Sequence, residues 1–224
     1  MPSALFIRHH LEDNPGLIGE AFKARGYACD LVMMDASTPT PQIDGYDVLI
    51  ILGSTSSVND TDALSAWFGR ELELLEEAVR REVPIFGICF GAQALCRLFG
   101  GTVERSDAPE IGWYDVQSKD DAPIVDGPWF EFHFDRCVLP PTAQLWASSQ
   151  HAVQAFAVGR NLGVQFHPEI DDVQLRDWFD ADDTELPRQF ASREELLAQT
   201  TQETPAARQR ALELVDVFLA HAAR

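Results

Sequence analysis

The segment Val83-Pro-Ile-Phe-Gly-Ile-Cys-Phe-Gly91 decides the fold, because an apolar run here leads through a cysteine into a second apolar segment. Residues 83–88 indicate a buried strand and residues 92–99 a helix, so Cys89 lies at a strand-to-helix turn. Small residues at Gly87 and Gly91 allow a sharp turn without Cβ clashes. The helix points free N–H groups and its positive dipole end at the sulfur, which stabilises a thiolate. The pattern predicts that Cys89 is a nucleophile that attacks carbonyl carbon.

A cysteine nucleophile needs a base, and the segment Gly163-Val-Gln-Phe-His-Pro-Glu169 supplies one. Its apolar residues indicate a strand that ends at Pro168. Because side chains alternate along an extended chain, His167 and Glu169 project to the same side, and the proline favours an extended conformation for His167. We predict a triad in which Cys89 attacks, His167 transfers the proton, and Glu169 orients the imidazole and stabilises its charged form.

The first hundred residues alternate strands with helices, which is typical of a parallel α/β sheet. In such a sheet the functional loops lie at the carboxyl ends of the strands. We expect both the Cys89 turn and the loop at Gly53 to lie there. Residues 62–81 carry apolar side chains at helical spacing and predict a helix that packs on this sheet.

The pattern changes in the second half of the chain. Residues 101–166 indicate short strands and turns, which predicts a partly antiparallel extension of the sheet. Residues 171–224 indicate helices, the last running from about Pro205 to residue 222. Without a linker or internal repeat, the sequence predicts one domain over residues 1–224, with a helical C-terminal segment at 171–224.

Composition narrows the class of protein. Asp and Glu number 36 against 17 Lys and Arg, a net charge of −19, which argues against nucleic acid or an anionic membrane as a partner. No apolar stretch is long enough for a membrane span, and the N-terminus lacks a signal-peptide pattern. The four cysteines suggest neither a disulfide framework nor a zinc site. We expect a cytoplasmic enzyme without a metal.

These motifs resemble the class I (triad-type) glutamine amidotransferases. Among them, the chain is similar to small stand-alone proteins related to the glutaminase domain of GMP synthase. The resemblance covers nearly the whole chain and rests on residues 87–93, residues 163–169 and the loop at residues 51–60. It implies a flavodoxin-like three-layer sandwich with a mainly parallel central sheet and a partly antiparallel extension.

The resemblance also implies roles for residues around the triad. The backbone N–H groups of Phe90 and Ser54 are expected to form the oxyanion hole. Relatives usually carry glycine at the second of these positions, and serine disfavours a positive φ. The hole is therefore expected either to need a rearrangement or to be formed in a different way. The implied substrate-binding residues are Gly53, Gln93, Gln154, Ala155 and Phe156.

One implied match has no clear role. His133 and Asp135 match a His-Gly-Asp stretch of the relatives, but Phe134 replaces the glycine. The sequence does not decide what these residues do.

Three functions remain open from the sequence. The chain has no phosphate-binding GxxxxGK loop and no nucleotide fingerprint, so no cofactor is expected. The first function is hydrolysis of the γ-amide of glutamine through a thioester at Cys89, with ammonia passing to a separate synthetase or acceptor subunit. The second is a γ-glutamyl peptide or amide hydrolase that acts alone. The third is a catalytically silent binding or regulatory subunit.

Overall fold

A computed structural model describes residues 1–60, 66–119, 122–182, 186–187 and 189–224. Its elements, in chain order, are β1 (Ser3–Arg8), α1 (Gly16–Ala24), β2 (Ala28–Met33), β3 (Val48–Ile51), α2 (Phe68–Arg80), β4 (Ile85–Ile88), α3 (Phe90–Leu98), β5 (Thr102–Val116), β6 (Gly127–Val138), β7 (Gln144–Ser148), β8 (Val153–Val158), β9 (Asn161–Val164), α4 (Asp172–Ala181) and α5 (Arg193–Ala222).

Seven of the strands form one sheet in the order β2-β1-β3-β4-β9-β8-β7. The strands from β2 to β9 in this order are parallel, whereas β9, β8 and β7 pair antiparallel. Strands β5 and β6 form a separate antiparallel ribbon. The predicted fold class, a mainly parallel sheet with an antiparallel part and helices around it, is confirmed.

The sheet is covered on both faces, which explains the continuous apolar sequence of its central strands. All four residues of β3 are buried, as expected for a parallel strand between two helical layers. Helices α1 and α5 pack on one face, where Phe22 and Phe86 each contact Phe218. Helices α2 and α3 pack on the other face.

Two predicted helix boundaries differ from the structure. Helix α5 begins at Arg193 and carries Pro205 inside it, so the expected start at Pro205 is wrong. A capping box, in which Ser192 and Glu195 bond each other's backbone N–H groups, starts the helix twelve residues earlier. Helix α2 begins at Phe68, and residues 62–65 of the helix predicted at 62–81 lie outside the described residues.

The β5–β6 ribbon lies against the carboxyl edge of the sheet. Phe130 of β6 forms a bridge with His167, just beyond β9. The ribbon shares a third apolar cluster with the C-terminal helices, formed by Ile111, Phe130, Ile170, Leu175 and Leu196. The ribbon and these helices therefore border the loops that follow β3, β4 and β9.

The turn between β4 and α3 depends on two glycines. A Cβ at Gly91 would lie 2.3 Å from the Ile51 carbonyl oxygen, and one at Gly87 would lie 2.5 Å from the carbonyl carbon of Gly91. Cβ atoms at either position would therefore push α3 away from β3 and β4. The prediction that small residues are required on both sides of Cys89 agrees with this packing.

We expect Gly91→Ala to lower the free energy of unfolding by about 1–3 kcal/mol, because the new methyl group meets backbone that cannot turn aside. Denaturant unfolding measures the change. Gly69→Ala is the matched control, since Gly69 is exposed in α2 with no atom within 4 Å of its added Cβ. This variant should gain about 0.5–1 kcal/mol from the helix preference of alanine. Equal stability of the two variants would contradict the close approach of α3 and β3.

Candidate active site

Cys89 occupies a strained turn at the carboxyl end of β4. Its φ is 50°, a left-handed value that is uncommon for any residue other than glycine. Its N–H donates to the Val164 carbonyl of β9 at 2.8 Å, and its carbonyl accepts from the Gln93 N–H of α3 at 3.0 Å. The residue therefore starts the helix while staying bonded to the neighbouring strand, which fixes the direction of its side chain.

His167 and Glu169 follow β9 and form a buried pair. The His167 N–H donates to the Phe130 carbonyl of β6 at 2.7 Å, and the Leu17 N–H at the start of α1 donates to the Glu169 carbonyl at 2.9 Å. The imidazole Nδ1 lies 2.7 Å from Glu169 Oε1. The Trp178 ring packs edge-on against the imidazole at 5.1 Å. The backbone bonds fix the main chain of both residues. The carboxylate of Glu169 and the ring of Trp178 fix the orientation of the imidazole.

The charges around His167 favour its protonated form. Burial lowers the pKa of His167, but the Glu169 carboxylate and the Cys89 thiolate together outweigh it and raise the pKa well above the ordinary value. His167 Nε2 has no hydrogen-bond partner among the described residues. Nε2 is therefore the ring nitrogen available for the predicted proton exchange with Cys89.

Gln165 also touches the nucleophile, a contact that the sequence analysis missed. Its Nε2 lies 3.4 Å from the Cys89 sulfur, and its Oε1 accepts from Gln93 Nε2 at 3.2 Å. The spacing of Gln165 and His167 was the available signal, because residues two apart on an extended chain face the same side. Gln93, predicted to bind substrate, holds Gln165 through this bond, and its role toward a substrate stays a prediction.

Cys89 and His167 open into a cavity of about 520 Å³. Gly53 and Ser54 line it, as do four aromatic residues that we call the aromatic wall: Phe132, Phe134, Trp178 and Phe179. Acidic and basic side chains lie at the same cavity, namely His10, Glu12, Asp13, Asp182 and Arg193. A cavity of this size, mainly apolar with a few polar groups, suits a small organic ligand.

The two predicted oxyanion donors lie beside Cys89. Phe90 is the first residue of α3, where a backbone N–H has no acceptor within the helix. Ser54 is not among the described residues with a positive φ, so it adopts the loop without the strain that its replacement of glycine suggested. Its hydroxyl accepts from the Ser56 N–H at 3.2 Å. The oxyanion hole itself, and the choice between the two alternatives, stay predictions.

The predicted substrate-binding residues Gln154, Ala155 and Phe156 belong to the sheet, and the Gln154 carbonyl accepts from the Gln165 N–H at 2.9 Å. All three lie on β8 and are buried, and none lines the cavity. The backbone of β8 pairs with β9 on one side and β7 on the other. Gln154 Nε2 donates to Glu110 Oε2 at 2.9 Å.

His133 and Asp135 have structural contacts. His133 Nε2 lies 3.1 Å from Glu110 Oε2 and 3.3 Å from Glu131 Oε2, and Nδ1 lies 3.0 Å from the Asp135 carbonyl. Burial lowers the pKa of His133, but the two carboxylates raise it to about 10. Asp135 Oδ2 accepts from the Ser57 hydroxyl at 2.5 Å. These contacts fix β6 and the Gly53 loop, while the flanking Phe132 and Phe134 face the cavity.

Other kinds of site find little support in the described parts of the chain. Within the described residues, no cluster of three or more His, Cys, Asp or Glu side chains could hold a metal ion. No helix in those ranges is both long and apolar enough to cross a membrane.

Comparisons with known proteins agree on one family. The model of the glutamine amidotransferase class-I family matches residues 16–174, more than half of the chain. A glutamine-hydrolyzing GMP synthase of Thermosipho africanus is 32% identical over 163 residues, which cover 69% of this chain and 30% of the relative. The chain thus spans under a third of the length of this synthase. In Saccharolobus solfataricus, a single subunit of a glutamine-hydrolyzing GMP synthase is 32% identical over 151 residues, which cover 63% of this chain and 77% of the relative.

Solved structures agree on the fold. A glutamine amidotransferase of Thermotoga maritima superposes with a TM-score of 0.87 at 24% identity, covering 97% of this chain and 98% of the other. A glutamine amido transferase of Methylobacillus flagellatus gives 0.86 at 24% identity, with 98% and 94% covered.

The charge pair at the site predicts a pH response. NMR titration of the imidazole signals should find His167 charged through neutral pH, since its pKa is raised. Cys89→Ala removes the negative partner and should lower the His167 midpoint. His221, whose pKa is lowered by burial at the far end of α5, is the internal control and should not move. An unchanged His167 midpoint would show that the sulfur carries no charge beside it.

Proposed function

Because the chain belongs to the class I glutamine amidotransferase family, we propose that it hydrolyses a γ-glutamyl amide through a thioester at Cys89. One observation carries the proposal. The imidazole of His167 is bonded to Glu169 through Nδ1 at 2.7 Å, while Nε2 is left without a partner in the described structure, beside a cysteine in a strained turn. This arrangement supplies a nucleophile, a base and an orienting carboxylate in one place.

The reaction follows from these positions. The Cys89 thiolate, formed with its proton on His167, attacks the amide carbon, and the carbonyl π electrons move onto oxygen. The backbone N–H groups of Phe90 and Ser54 receive this oxyanion. The oxyanion collapses, the C–N bond breaks, and His167 gives its proton to the leaving nitrogen. Water, deprotonated by His167, then attacks the thioester and releases the γ-carboxylic acid and the thiolate.

The aromatic wall favours a second candidate, a hydrolase that acts alone on a γ-glutamyl amide or peptide with an apolar leaving group. Ammonia is small and polar and needs no such surface, whereas the ring of an amine leaving group would be buried against Phe132 and Phe134. The relatives that are single subunits of GMP synthases support the first candidate, in which ammonia passes to a separate synthetase subunit.

Single substitutions test the role of each residue of the triad. We expect Cys89→Ala to abolish hydrolysis of glutamine and of γ-glutamyl-p-nitroanilide. His167→Ala should lower kcat by about 10⁴-fold or more, and Glu169→Ala by about 10–10³-fold, because the base is still present but less well held. Ammonia and nitroaniline release measure turnover, and circular dichroism confirms folding.

Two results would contradict the triad. One is wild-type turnover in Cys89→Ala, and the other is an active His167→Ala with a different essential histidine, such as His151. A wild-type protein that binds these compounds but hydrolyses none of them would instead support the silent binding subunit.

Leaving-group size distinguishes the two enzymatic candidates. If the aromatic wall binds the leaving group, Phe134→Ala should lower kcat/KM for γ-glutamyl-p-nitroanilide by about 10-fold and change that for glutamine much less. Val173→Ala is the control, because Val173 is 61% exposed on α4 and does not line the cavity. Equal losses with both substrates would argue for ammonia release.

A further inference from the structure

A second buried histidine holds the loop that carries the predicted oxyanion donor. His9, at the end of β1, lies with its Nδ1 2.8 Å from the Gly53 carbonyl oxygen. A carbonyl oxygen can only accept a hydrogen bond, so Nδ1 must carry the hydrogen. The side chain of His9 is 1% exposed, which excludes water as a competing donor at this position.

This bond fixes the Ser54 N–H as well. The described chain contains no cis peptide bond, so the Gly53 carbonyl and the Ser54 N–H lie on opposite sides of one planar trans peptide. With the carbonyl aimed at His9, the N–H is directed away from His9. Gly53 and Ser54 both line the cavity that also contains Cys89 and His167. A Cβ placed on Gly53 would lie 3.0 Å from His167 Cε1 and 3.8 Å from Cys89 Cβ, so this peptide adjoins the reacting groups.

His9 is itself held on three sides. Its Nε2 lies 2.8 Å from Glu71 Oε2, a fully buried carboxylate in the first turn of α2. Its ring centroid lies 4.8 Å from Trp67 and 4.9 Å from Phe90. Phe90 supplies the other predicted oxyanion donor, so one imidazole contacts Phe90 and the carbonyl of the peptide that leads into Ser54.

We propose that His9 is a positioning residue for the oxyanion hole, held by Glu71, which aims the Ser54 N–H through its bond to the Gly53 carbonyl. This inference rests on the proposed function. No reacting atom touches His9, and its effect passes entirely through one peptide group.

The charge on His9 adds to the effect. Burial lowers the pKa of His9, but Glu71 outweighs it, with smaller contributions from the Gly53 carbonyl and Asp13, and the pKa is raised. A charged donor on the Gly53 carbonyl polarises the peptide and strengthens the Ser54 N–H as a donor.

Two reactions of the same sulfur test the role. Acylation of Cys89 by p-nitrophenyl acetate passes through an oxyanion, whereas alkylation by iodoacetamide displaces iodide at a methylene carbon and needs no oxyanion hole. His9→Phe keeps an aromatic ring between Trp67 and Phe90 but removes the donor. We expect it to slow acylation by about 10- to 100-fold and to change alkylation by less than about twofold.

Folding controls accompany this variant, because His9→Phe leaves Glu71 buried without its partner. The double variant His9→Phe/Glu71→Met removes the unpaired carboxylate. It should slow acylation as much as His9→Phe does and leave the rate of alkylation nearly unchanged. Glu71→Gln is made in the protein that keeps His9. Because glutamine retains a hydrogen-bonding group, this variant should lose less of the acylation rate than the double variant. Phe68→Leu is the matched packing control, since Phe68 packs on Phe90 at 5.5 Å but is not part of the Glu71–His9–Gly53 chain.

The outcomes separate the two proposals. Equal slowing of acylation and alkylation in the double variant, or no slowing of acylation, would overturn the positioning role of His9. Failure of the wild-type protein to hydrolyse any γ-glutamyl amide would overturn the proposed function. The ratio of the acylation and alkylation rates would still decide the role of His9, since neither reaction needs a γ-glutamyl group.

Discussion

The close contact between the start of α3 and the backbone of β3 is the constraint on which the site depends. Gly91 lies where no Cβ could fit beside the Ile51 carbonyl, and this approach keeps Cys89 at a φ of 50°. Strain of this kind persists only where the surrounding packing determines it. Strand β3 then continues directly into the Gly53 loop, so the strand that contacts the start of α3 also positions Ser54, the predicted oxyanion donor.

Three buried imidazole–carboxylate contacts surround this turn, and they differ in one respect. His9 bonds the Gly53 carbonyl and Glu71, and His133 contacts the Asp135 carbonyl and two glutamates. His167 bonds Glu169 through Nδ1 alone and keeps Nε2 without a partner in the described structure. A buried charge is stable only when paired, and all three pairs meet that need. In the described structure, both ring nitrogens of His9 and of His133 lie beside a carboxylate or a carbonyl, whereas His167 has such a contact at Nδ1 only, which agrees with its predicted role as the base.

Local sequence patterns predicted the parts of the site that depend on neighbouring residues. The elbow around Cys89 and the His167–Glu169 spacing are of this kind, and the alternation of strands and helices predicted the confirmed sheet. The partners of these groups come from distant parts of the chain. Gly53 is bonded by His9, and the aromatic wall comes from β6 and α4, so no local pattern marks them. The start of α5 was predicted at Pro205 because proline favours the first turn of a helix. The Ser192 capping box sets the actual start.

The C-terminal helices complete the electrostatics of the site. Trp178 of α4 packs on the His167 imidazole, and Phe132 of the ribbon packs on Trp178 at 6.4 Å. These rings pack beside a buried His167–Glu169 pair, and the low local dielectric of a buried site strengthens the pairing that raises the pKa of His167. The same rings form the wall where the leaving group would bind. In the proposed reaction, leaving-group binding and the charge on His167 would therefore depend on one set of aromatic contacts, and a larger opening at these rings would also weaken the His167–Glu169 pair.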